Sequence, residues 1–369
     1  MKQRKKKIRK IAILTGGGDC PGLNAAIRAV VKSAIHELGL NHVIGVQDGF
    51  AGLIEQRVRK LRYADVSGII TLGGTVLGAS NRANPFKIPR ERKGEMTWED
   101  RSDEVVRYCE KLKVEALICL GGDGTLGIAQ KLFQKGIPVI GIPKTIDNDL
   151  LETDVTIGFD TAVAKACQAI DTLHSTAQSH HRVMIVETMG RNAGWIALYS
   201  GIASGGDILL IPEIPYDLEK ICTVVEERSR RGRRFSILVV AEGARPRGGR
   251  QMYQEEIAGS GTDHRLRLGG IGKKIAGDLN RHGMEARYAI LGHLLRGGWP
   301  STSDRMLATH LGVEAVRAIA DRDFGKMIAW KNGAVARVSL HQVIRGQRLV
   351  PKNHPYLEIA RSLNVCLGI

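Results

Sequence analysis

Short runs of consecutive apolar residues recur along this chain and alternate with segments of helical periodicity. The strand-like runs are 10–15, 43–47, 115–120, 137–142, 182–187, 207–211, 235–241 and 287–291. Because most are apolar at every position, they indicate strands buried on both faces of a parallel sheet. Helical patterns lie between them, most clearly at 24–38, 161–177, 269–282 and 303–320. The alternation predicts an α/β fold with mostly parallel sheets in two lobes, and the polar stretch 82–104 is interpreted as a surface excursion.

The composition is ordinary for a globular protein without a membrane segment. The 369 residues are 43% hydrophobic and 25% charged, enough for two lobes with a sizeable core. No apolar stretch reaches the roughly 18 residues of a membrane helix, and the basic N-terminus lacks the apolar core of a signal peptide. The six cysteines form no CxxC pair, which is typical of reduced thiols. We therefore expect a cytoplasmic protein with no membrane partner.

The net charge of +16 is concentrated in part at the N-terminus, residues 1–10. This segment is predicted to be a solvated, solubilising tail, and contact with nucleic acid or a membrane surface is the alternative. The rest of the chain is also basic, which suits a small anionic substrate. A nucleic-acid-binding or scaffold protein without activity would be expected to have lost one of the loop carboxylates Asp123, Asp147 and Asp149, all of which the chain has. Nucleic acid is therefore not the expected partner.

Two glycine-rich loops follow apolar runs and precede helical segments. In GGDGT, residues 121–125, the glycines allow phosphate groups to approach the backbone at a helix N-terminus. Asp123 is placed to reach a magnesium ion that bridges the phosphates. The alternative is a tight turn whose aspartate only caps the helix. A similar loop, TGGGD at 15–19, contains Gly17 and Gly18. The two strands before these loops are predicted to lie in one sheet, with both loops at the same edge.

A second motif, PKTIDND at 143–149, supplies two carboxylates. Asp147 and Asp149 stand two positions apart, so on an extended loop they would face the same side. One can accept the proton of an acceptor hydroxyl while the other orients it or helps to hold the metal. The alternative is a solvent loop of turn-forming residues. Together with GGDGT, the motif indicates a site for phosphoryl transfer.

Basic and acidic side chains near the ends of later strands suit a sugar phosphate. Arg182 precedes a strand and Met189, Gly190 and Arg191 follow it. The others are Glu242 in VVAEGARP, and Arg287, His293 and Arg296 in ARYAILGHLLRGG. Guanidinium groups at loop ends are effective phosphate ligands. Each side chain alone is more often an ordinary surface charge.

Six motifs follow one another along the chain in the order GGD-PG-NAAIR, GGDGT, P-TIDND, SHHRVMIVETMGR, AEG and LGHLLRGG. Together they resemble the motifs of the 6-phosphofructokinase family over residues from about 10 to about 325. The resemblance implies two Rossmann-like lobes with the active site in the cleft between them. It implies phosphoryl transfer from ATP, with Mg²⁺, to the C1 hydroxyl of fructose 6-phosphate, the step of glycolysis that gives the 1,6-bisphosphate. We expect a larger nucleotide-binding lobe of residues 11–158 plus about 295–345, and a smaller sugar-phosphate-binding lobe of 159–294 plus about 346–369.

The resemblance also implies roles for single residues. Asp147 is the expected general base, Asp149 its supporting carboxylate, and Arg191 the cation that stabilises the transferring phosphoryl group. The expected nucleotide and metal site is Gly17, Gly18, Arg82, Gly122, Asp123, Gly124 and Thr125, with Asp123 on the metal. The expected sugar-phosphate site is Thr145, Asp147, Arg182, Met189, Gly190, Arg191, Glu242, Arg287, His293 and Arg296. Arg182 and Arg287 resemble residues that the family donates from a neighbouring subunit, which implies a homodimer or homotetramer.

The identity of the phosphoryl donor depends on two residues that point in different directions. Members of the family that use pyrophosphate carry aspartate where this chain has Gly124, and that carboxylate would repel the α-phosphate of ATP. Gly124 therefore favours ATP. Lys144 stands where ATP-using bacterial enzymes carry glycine, and it accompanies pyrophosphate use. ATP is the predicted donor, and a pyrophosphate-dependent fructose 6-phosphate 1-phosphotransferase is the alternative.

Overall fold

The computed structural model describes residues 7–92, 95–254 and 267–369, so residues 1–6 of the predicted tail lie outside the described residues. The strands are β1 (Ile11–Thr15), β2 (Val43–Val46), β3 (Val58–Leu61), β4 (Ile88–Arg92), β5 (Glu95–Glu99), β6 (Ala116–Gly121), β7 (Val139–Pro143), β8 (Val183–Thr188), β9 (Ile208–Leu210), β10 (Ser236–Ala241), β11 (Tyr253–Gln254), β12 (Arg267–Leu268), β13 (Ala286–Ile290), β14 (Lys326–Lys331) and β15 (Ala334–Ser339). The helices are α1 (Leu23–Leu38), α2 (Phe50–Ile54), α3 (Ser102–Lys111), α4 (Asp123–Gln134), α5 (Phe159–His180), α6 (Trp195–Ala203), α7 (Leu218–Arg230), α8 (Ile271–Arg281), α9 (Thr302–Asp321), α10 (Leu340–Val343) and α11 (Pro355–Ser362). Short 3₁₀ turns lie at Ala64–Val66, Ile69–Thr71 and Gly292–Arg296.

The first of two compact units comprises residues 1–146, 150–160 and 296–347. Its seven-stranded sheet has the order β15-β14-β7-β6-β1-β2-β3. The pairs from β14 to β2 are parallel, and the two outermost pairs, β14 with β15 and β2 with β3, are antiparallel. Strand β1 pairs directly with β6, with Thr15 opposite Leu120. The prediction that the two glycine loops leave one edge of one sheet is therefore confirmed.

Buried strands and one close helix pair form the core of this unit. Every residue of β1, β6 and β7 is buried, as their uninterrupted apolar sequences require. Helix α1 packs against α9, and a Cβ at Gly312 of α9 would lie 2.8 Å from the Cβ of Ala29. The small residues at this contact let the two helices approach closely. At the start of the chain, Ile8 is buried, and the backbone N–H groups of Arg9 and Lys10 donate to the carboxylate of Glu115.

The second unit comprises residues 147–149, 161–295 and 348–369. Its four-stranded sheet has the order β13-β8-β10-β9 and is parallel throughout. The inner strands β8 and β10 are buried at every position, whereas β13 lies at the edge with Tyr288 and Ile290 exposed. At the other edge, Cys366 forms a parallel bridge with Ile208 of β9. The β9 edge of this sheet is therefore covered by the C-terminal segment, whereas the β13 edge is exposed.

The fold class and all predicted strands are confirmed, with boundaries that differ by one or two residues. The interpretation of 82–104 was incomplete, because it contains the antiparallel hairpin β4–β5 and the start of α3. Its strands IPRER and EMTWE are short and charged, so they give no apolar run. Helices α6 and α7 and strands β14 and β15 were also missed. Within the described residues, no helix has both the length and the apolar character needed to cross a bilayer.

Candidate active site

The two glycine loops are in direct contact in the first unit. Strand β6 ends at Gly121, and α4 begins at Asp123, immediately after Gly122. A Cβ at Gly121 would lie 2.3 Å from the Cβ of Thr125, and one at Gly16 would lie 2.6 Å from Thr125 Oγ1. No larger residue fits at either position without displacing Thr125. The glycines of both motifs thus allow one compact loop pair at the carboxyl edge of the sheet.

The segment that contains Arg82 runs beside the first of these loops. Gly17 N–H donates to Ser80 O at 3.1 Å, and Gly16 and Ser80 form a parallel bridge. The backbone N–H of Arg82 donates to Ser80 Oγ at 3.3 Å, and the Arg82 side chain is exposed. Gly17 has a φ of 74°, a left-handed conformation that favours glycine. The structure therefore places Arg82 two residues after Ser80, which pairs with Gly16 and Gly17.

Asp123 is the metal ligand predicted from the sequence, and it lies exposed in the first turn of α4. Its Oδ1 accepts from the N–H of Gly124 at 2.7 Å, and Gln347 Nε2 lies 3.5 Å from its Oδ2. In the described part of the chain, no group of three or more His, Cys, Asp or Glu side chains could hold a metal. A single exposed carboxylate at a helix N-terminus fits Mg²⁺, which keeps waters and takes phosphate oxygens as further ligands. A Cβ at Gly124 would meet no atom within 4 Å, so there is open space beside this carboxylate.

Two cations lie against Gly18. The Lys144 side chain is only 4% exposed, and its Nζ donates to Gly18 O. A Cβ at Gly18 would lie 1.8 Å from Arg296 Nη1. Thr145 follows Lys144 and lies beside Gly122, whose Cβ would be 3.8 Å from Thr145 Cβ. Arg296 and Thr145, expected to bind the sugar phosphate, thus lie in the first unit beside the two glycine loops.

The two carboxylates of PKTIDND flank a buried residue in the second unit. Asn148 is 1% exposed, while Asp147 and Asp149 are half-buried. The prediction of an extended loop is wrong at Asn148, which has a φ of 51° in the left-handed region. Asparagine tolerates this conformation better than most residues. The segment is therefore a turn in which the two carboxylates lie on either side of a buried asparagine.

The loop Met189–Arg191 and Glu242 meet at the carboxyl ends of β8 and β10. Glu242 N–H donates to Thr188 O at 2.9 Å, and Gly243 N–H donates to Gly190 O at 3.1 Å. Arg191 is exposed, and Met189 and Glu242 are half-buried. Four predicted sugar-phosphate ligands, Met189, Gly190, Arg191 and Glu242, are thus brought together by backbone hydrogen bonds.

Gly243 fixes how closely these two loops approach. A Cβ there would lie 1.9 Å from the backbone oxygen of Arg191, which cannot move without moving the loop. We expect Gly243→Ala to lower the free energy of unfolding by about 1–3 kcal/mol, as overpacking does. Chemical denaturation measures this change.

The matched control is Gly277→Ala, which adds the same methyl group on α8 where a Cβ would meet no atom within 4 Å. Since alanine favours a helix over glycine by up to about 1 kcal/mol, this variant should be as stable as the parent or more so. Equal stability of the two variants would contradict the close approach at Gly243.

Arg182 and Arg287 lie at the opposite end of the same sheet. Arg182 Nε donates to Glu285 Oε1 at 2.6 Å, and Arg287 Nη2 lies 3.3 Å from the same oxygen. Both arginines stand near the amino ends of the parallel strands β8 and β13. Strands rise about 3.3 Å per residue, so these arginines are separated from the Met189 loop by roughly 20 Å along β8. Within one chain, the predicted sugar-phosphate ligands therefore do not form a single cluster.

His293 lies past the carboxyl end of β13, in the 3₁₀ turn Gly292–Arg296, and is exposed. Sequence reasoning missed Gln347, whose Nε2 lies near Asp123, and Arg348, whose N–H donates to Asp149 O. It also missed Trp195 and Glu213, which contact the segment that contains Arg348. Gln347 and Arg348 follow no recognisable strand or glycine loop, and Arg348 is one of 54 lysines and arginines. Only their tertiary contacts distinguish them.

Comparison with known proteins places these features in one family. The family model described as Phosphofructokinase matches residues 10–319. ATP-dependent 6-phosphofructokinase 2 of Clostridium perfringens (strain 13 / Type A) is 49% identical over 97% of this chain and 98% of its own length. Pyrophosphate–fructose 6-phosphate 1-phosphotransferase of Streptomyces coelicolor is 48% identical over 90% of this chain and 93% of its own length. The crystal structure of Pichia pastoris phosphofructokinase in the T-state has a TM-score of 0.77 and 30% identity, and it covers 93% of this chain, which spans 36% of that longer one. The chain belongs to the phosphofructokinase family.

Proposed function

We propose that this protein transfers the γ-phosphoryl group of ATP to the C1 hydroxyl of fructose 6-phosphate. The observation that carries the proposal is the contact between the two glycine loops, with Asp123 exposed at the N-terminus of α4. Free N–H groups at a helix N-terminus and the helix dipole favour phosphate there. The relatives that match nearly the whole chain bear names of enzymes that phosphorylate fructose 6-phosphate.

The proposed roles divide between the two units. In the first unit, Gly17, Gly18, Arg82, Gly122, Gly124 and Thr125 line the nucleotide, and Thr145 and Arg296 bind the sugar phosphate. Asp123 holds Mg²⁺, which when bound neutralises phosphate charge. In the second unit, Asp147 accepts the proton of the C1 hydroxyl, Asp149 orients that hydroxyl, and Arg191 stabilises the charge on the transferring group. Met189, Gly190, Glu242 and His293 contact the sugar phosphate. Catalysis then rests on positioning and fixed charges, without a covalent intermediate.

ATP is the proposed donor because of the space at Gly124. A Cβ at this position meets no atom within 4 Å, and glycine leaves this open space beside Asp123 free of a carboxylate that would repel the α-phosphate of ATP. Pyrophosphate is the second candidate. It is supported by the buried Lys144, whose Nζ lies against the first glycine loop, and by the name of the Streptomyces relative.

We also propose that the protein works as a homodimer or homotetramer. Arg182 and Arg287 lie roughly 20 Å along β8 from the Met189 loop, too far to bind the same phosphate group from one chain. A second copy that presents its own Arg182 and Arg287 would complete the site. The edge strand β13 carries Arg287 beside Tyr288 and Ile290, which are 44% and 41% exposed. An exposed edge strand with apolar side chains is suited to contact with another copy.

A cytoplasmic location is proposed from the state of the cysteines. All six are free thiols in the structure. Burial raises the pKa of the Cys20 thiol to about 12, so it remains protonated and unreactive at neutral pH. Free, protonated cysteines suit a reducing compartment.

The proposed reaction is tested by a coupled assay with fructose 6-phosphate as acceptor. ATP, pyrophosphate and other nucleoside triphosphates are compared as donors at equal concentration with Mg²⁺. We expect kcat/KM to be highest with ATP. A higher kcat/KM with pyrophosphate would show that pyrophosphate, and not ATP, is the donor. No activity with any donor would refute the proposed reaction. Light scattering on the same preparation gives the molar mass, and a monomeric mass in the active sample would refute the shared site.

A further inference from the structure

The segment Gln347–Val350 lies beside the turn that carries the two carboxylates. It is outside residues 10–319, which match the family model. Gln347 forms an antiparallel bridge with Leu150, and Arg348 N–H donates to Asp149 O at 2.8 Å. The segment is therefore paired by its backbone with the residue that ends the Asp147–Asp149 turn.

The side chain of Arg348 adds a second contact with this turn. Its Nη1 donates to Asn148 O at 3.3 Å, across 200 positions of sequence. Asn148 is buried and has a left-handed φ of 51°. A non-glycine residue in this region is strained, so it persists only where its surroundings hold it. Arg348 thus binds both carbonyl groups that follow Asp147, one with its backbone and one with its guanidinium.

Arg348 is itself fixed by the start of helix α6. Its Cζ lies 4.2 Å from the ring centroid of Trp195, and Trp195 Nε1 donates to Arg348 O at 2.8 Å. Trp195 is only 1% exposed. A cation over an indole face, with a hydrogen bond from the same ring, leaves the guanidinium little freedom.

Glu213 fixes the other end of the segment to the same helix. Its Oε1 accepts from Val350 N–H at 2.8 Å and from Gly194 N–H, next to Trp195, at 3.1 Å. Burial raises the pKa of Glu213, and these two backbone donors oppose the rise. The His354 ring also stands edge-on to Trp195, with the ring centroids 5.1 Å apart. Arg348 therefore has a rigid support between the buried indole and the carboxylate turn.

We propose that Arg348 is a positioning residue that holds the backbone of the Asp147–Asp149 turn and so fixes both carboxylates for proton acceptance. The inference rests on the proposed function, because only there does Asp147 act as a base. A displacement of about 1 Å at a reacting group can lower a rate by about 100-fold. Arg348 would thus affect turnover through the backbone of this turn.

The test compares three variants for kcat and for the KM of ATP and fructose 6-phosphate. Arg348→Met removes both guanidinium contacts and keeps the backbone N–H, and we expect kcat to fall about 10- to 100-fold with the KM of ATP within about 2-fold. Arg348→Lys keeps a cation over Trp195 but not the planar fork, and its loss should be intermediate. The control Arg345→Met changes an exposed arginine three positions earlier and should leave kcat unchanged.

Hydrogen–deuterium exchange of the peptide covering 143–151 gives a readout that does not depend on activity. In Arg348→Met this peptide should exchange faster, while the peptide covering α5 should not change. An unchanged kcat and unchanged exchange would overturn the inference. A fall in thermal stability, with kcat and both KM values changing together, would also overturn the inference, because a residue with only a structural role would give this result. If Arg348→Met does not fold, the intermediate loss in Arg348→Lys decides. Wild-type protein inactive with fructose 6-phosphate would refute the proposed function, whereas the exchange result would still test the contact.

Discussion

Replacing Asp147 with serine should lower kcat for fructose 6-phosphate by about 10²- to 10⁴-fold, the range that a positioned general base supplies. The C1 hydroxyl would then lose its proton acceptor, while the proposed phosphate ligands remain. We therefore expect the KM of fructose 6-phosphate to stay within a few-fold of the parent. Steady-state kinetics with saturating ATP separates the two parameters, because a group that acts only in the transition state changes kcat and leaves binding intact.

Asp171→Ser is the matched control. It makes the same substitution on the exposed face of α5, in the same unit. This variant should keep the kcat of the parent. Near-normal turnover in Asp147→Ser would refute the assignment of Asp147 as the base. A further variant, Asp149→Ser, should retain more activity than Asp147→Ser if Asp149 only orients the hydroxyl, and the reverse order would exchange the two roles.

The sequence predicted the strands that carry the site because their signal is local. A strand buried on both faces, such as β1 or β6, is apolar at nearly every position, and this pattern is visible without knowing its neighbours. The glycine loops at the ends of β1 and β6 predicted that both strands lie in one sheet, and the structure adds that they pair directly. The hairpin β4–β5 gave no such signal, since its strands are short, charged and paired only with each other.

The conformation of the carboxylate turn could not be predicted because distant residues determine it. The sequence IDND permits an extended loop or a turn, and Asn148 tolerates both. The contact that distinguishes them comes from Arg348, 200 positions away. Similarly, nothing in the sequence indicated that Arg296 lies over Gly18, or that Arg182 shares Glu285 with Arg287. The roles of the site residues stay predictions, and their spatial grouping is what the structure adds.

The variant Gly124→Asp tests the proposed choice of ATP as donor, and we expect it to lower the use of ATP strongly. The structure tolerates the new side chain, because a Cβ at Gly124 meets no atom within 4 Å, and an acidic residue suits the first turn of α4. Folding should therefore be unaffected. The carboxylate would stand where the α-phosphate of ATP is proposed to bind. Two like charges about 4 Å apart repel by roughly 4 kcal/mol at an effective dielectric constant of 20. We expect kcat/KM for ATP to fall about 10²- to 10³-fold.

Two controls separate charge from bulk and position. Gly124→Ala adds the Cβ without the charge and should lower kcat/KM for ATP by less than about 3-fold. Gly127→Asp places the same carboxylate one turn further along α4, where a Cβ also meets no atom within 4 Å, and it should retain ATP use. Activity with pyrophosphate should survive or rise in Gly124→Asp, because pyrophosphate lacks the nucleoside-bearing α-phosphate that the new carboxylate would repel. Lys144 also remains beside the loop in this variant. If ATP use is unchanged in Gly124→Asp, then the GGDGT loop does not contact the α-phosphate and the proposed basis of donor choice is wrong.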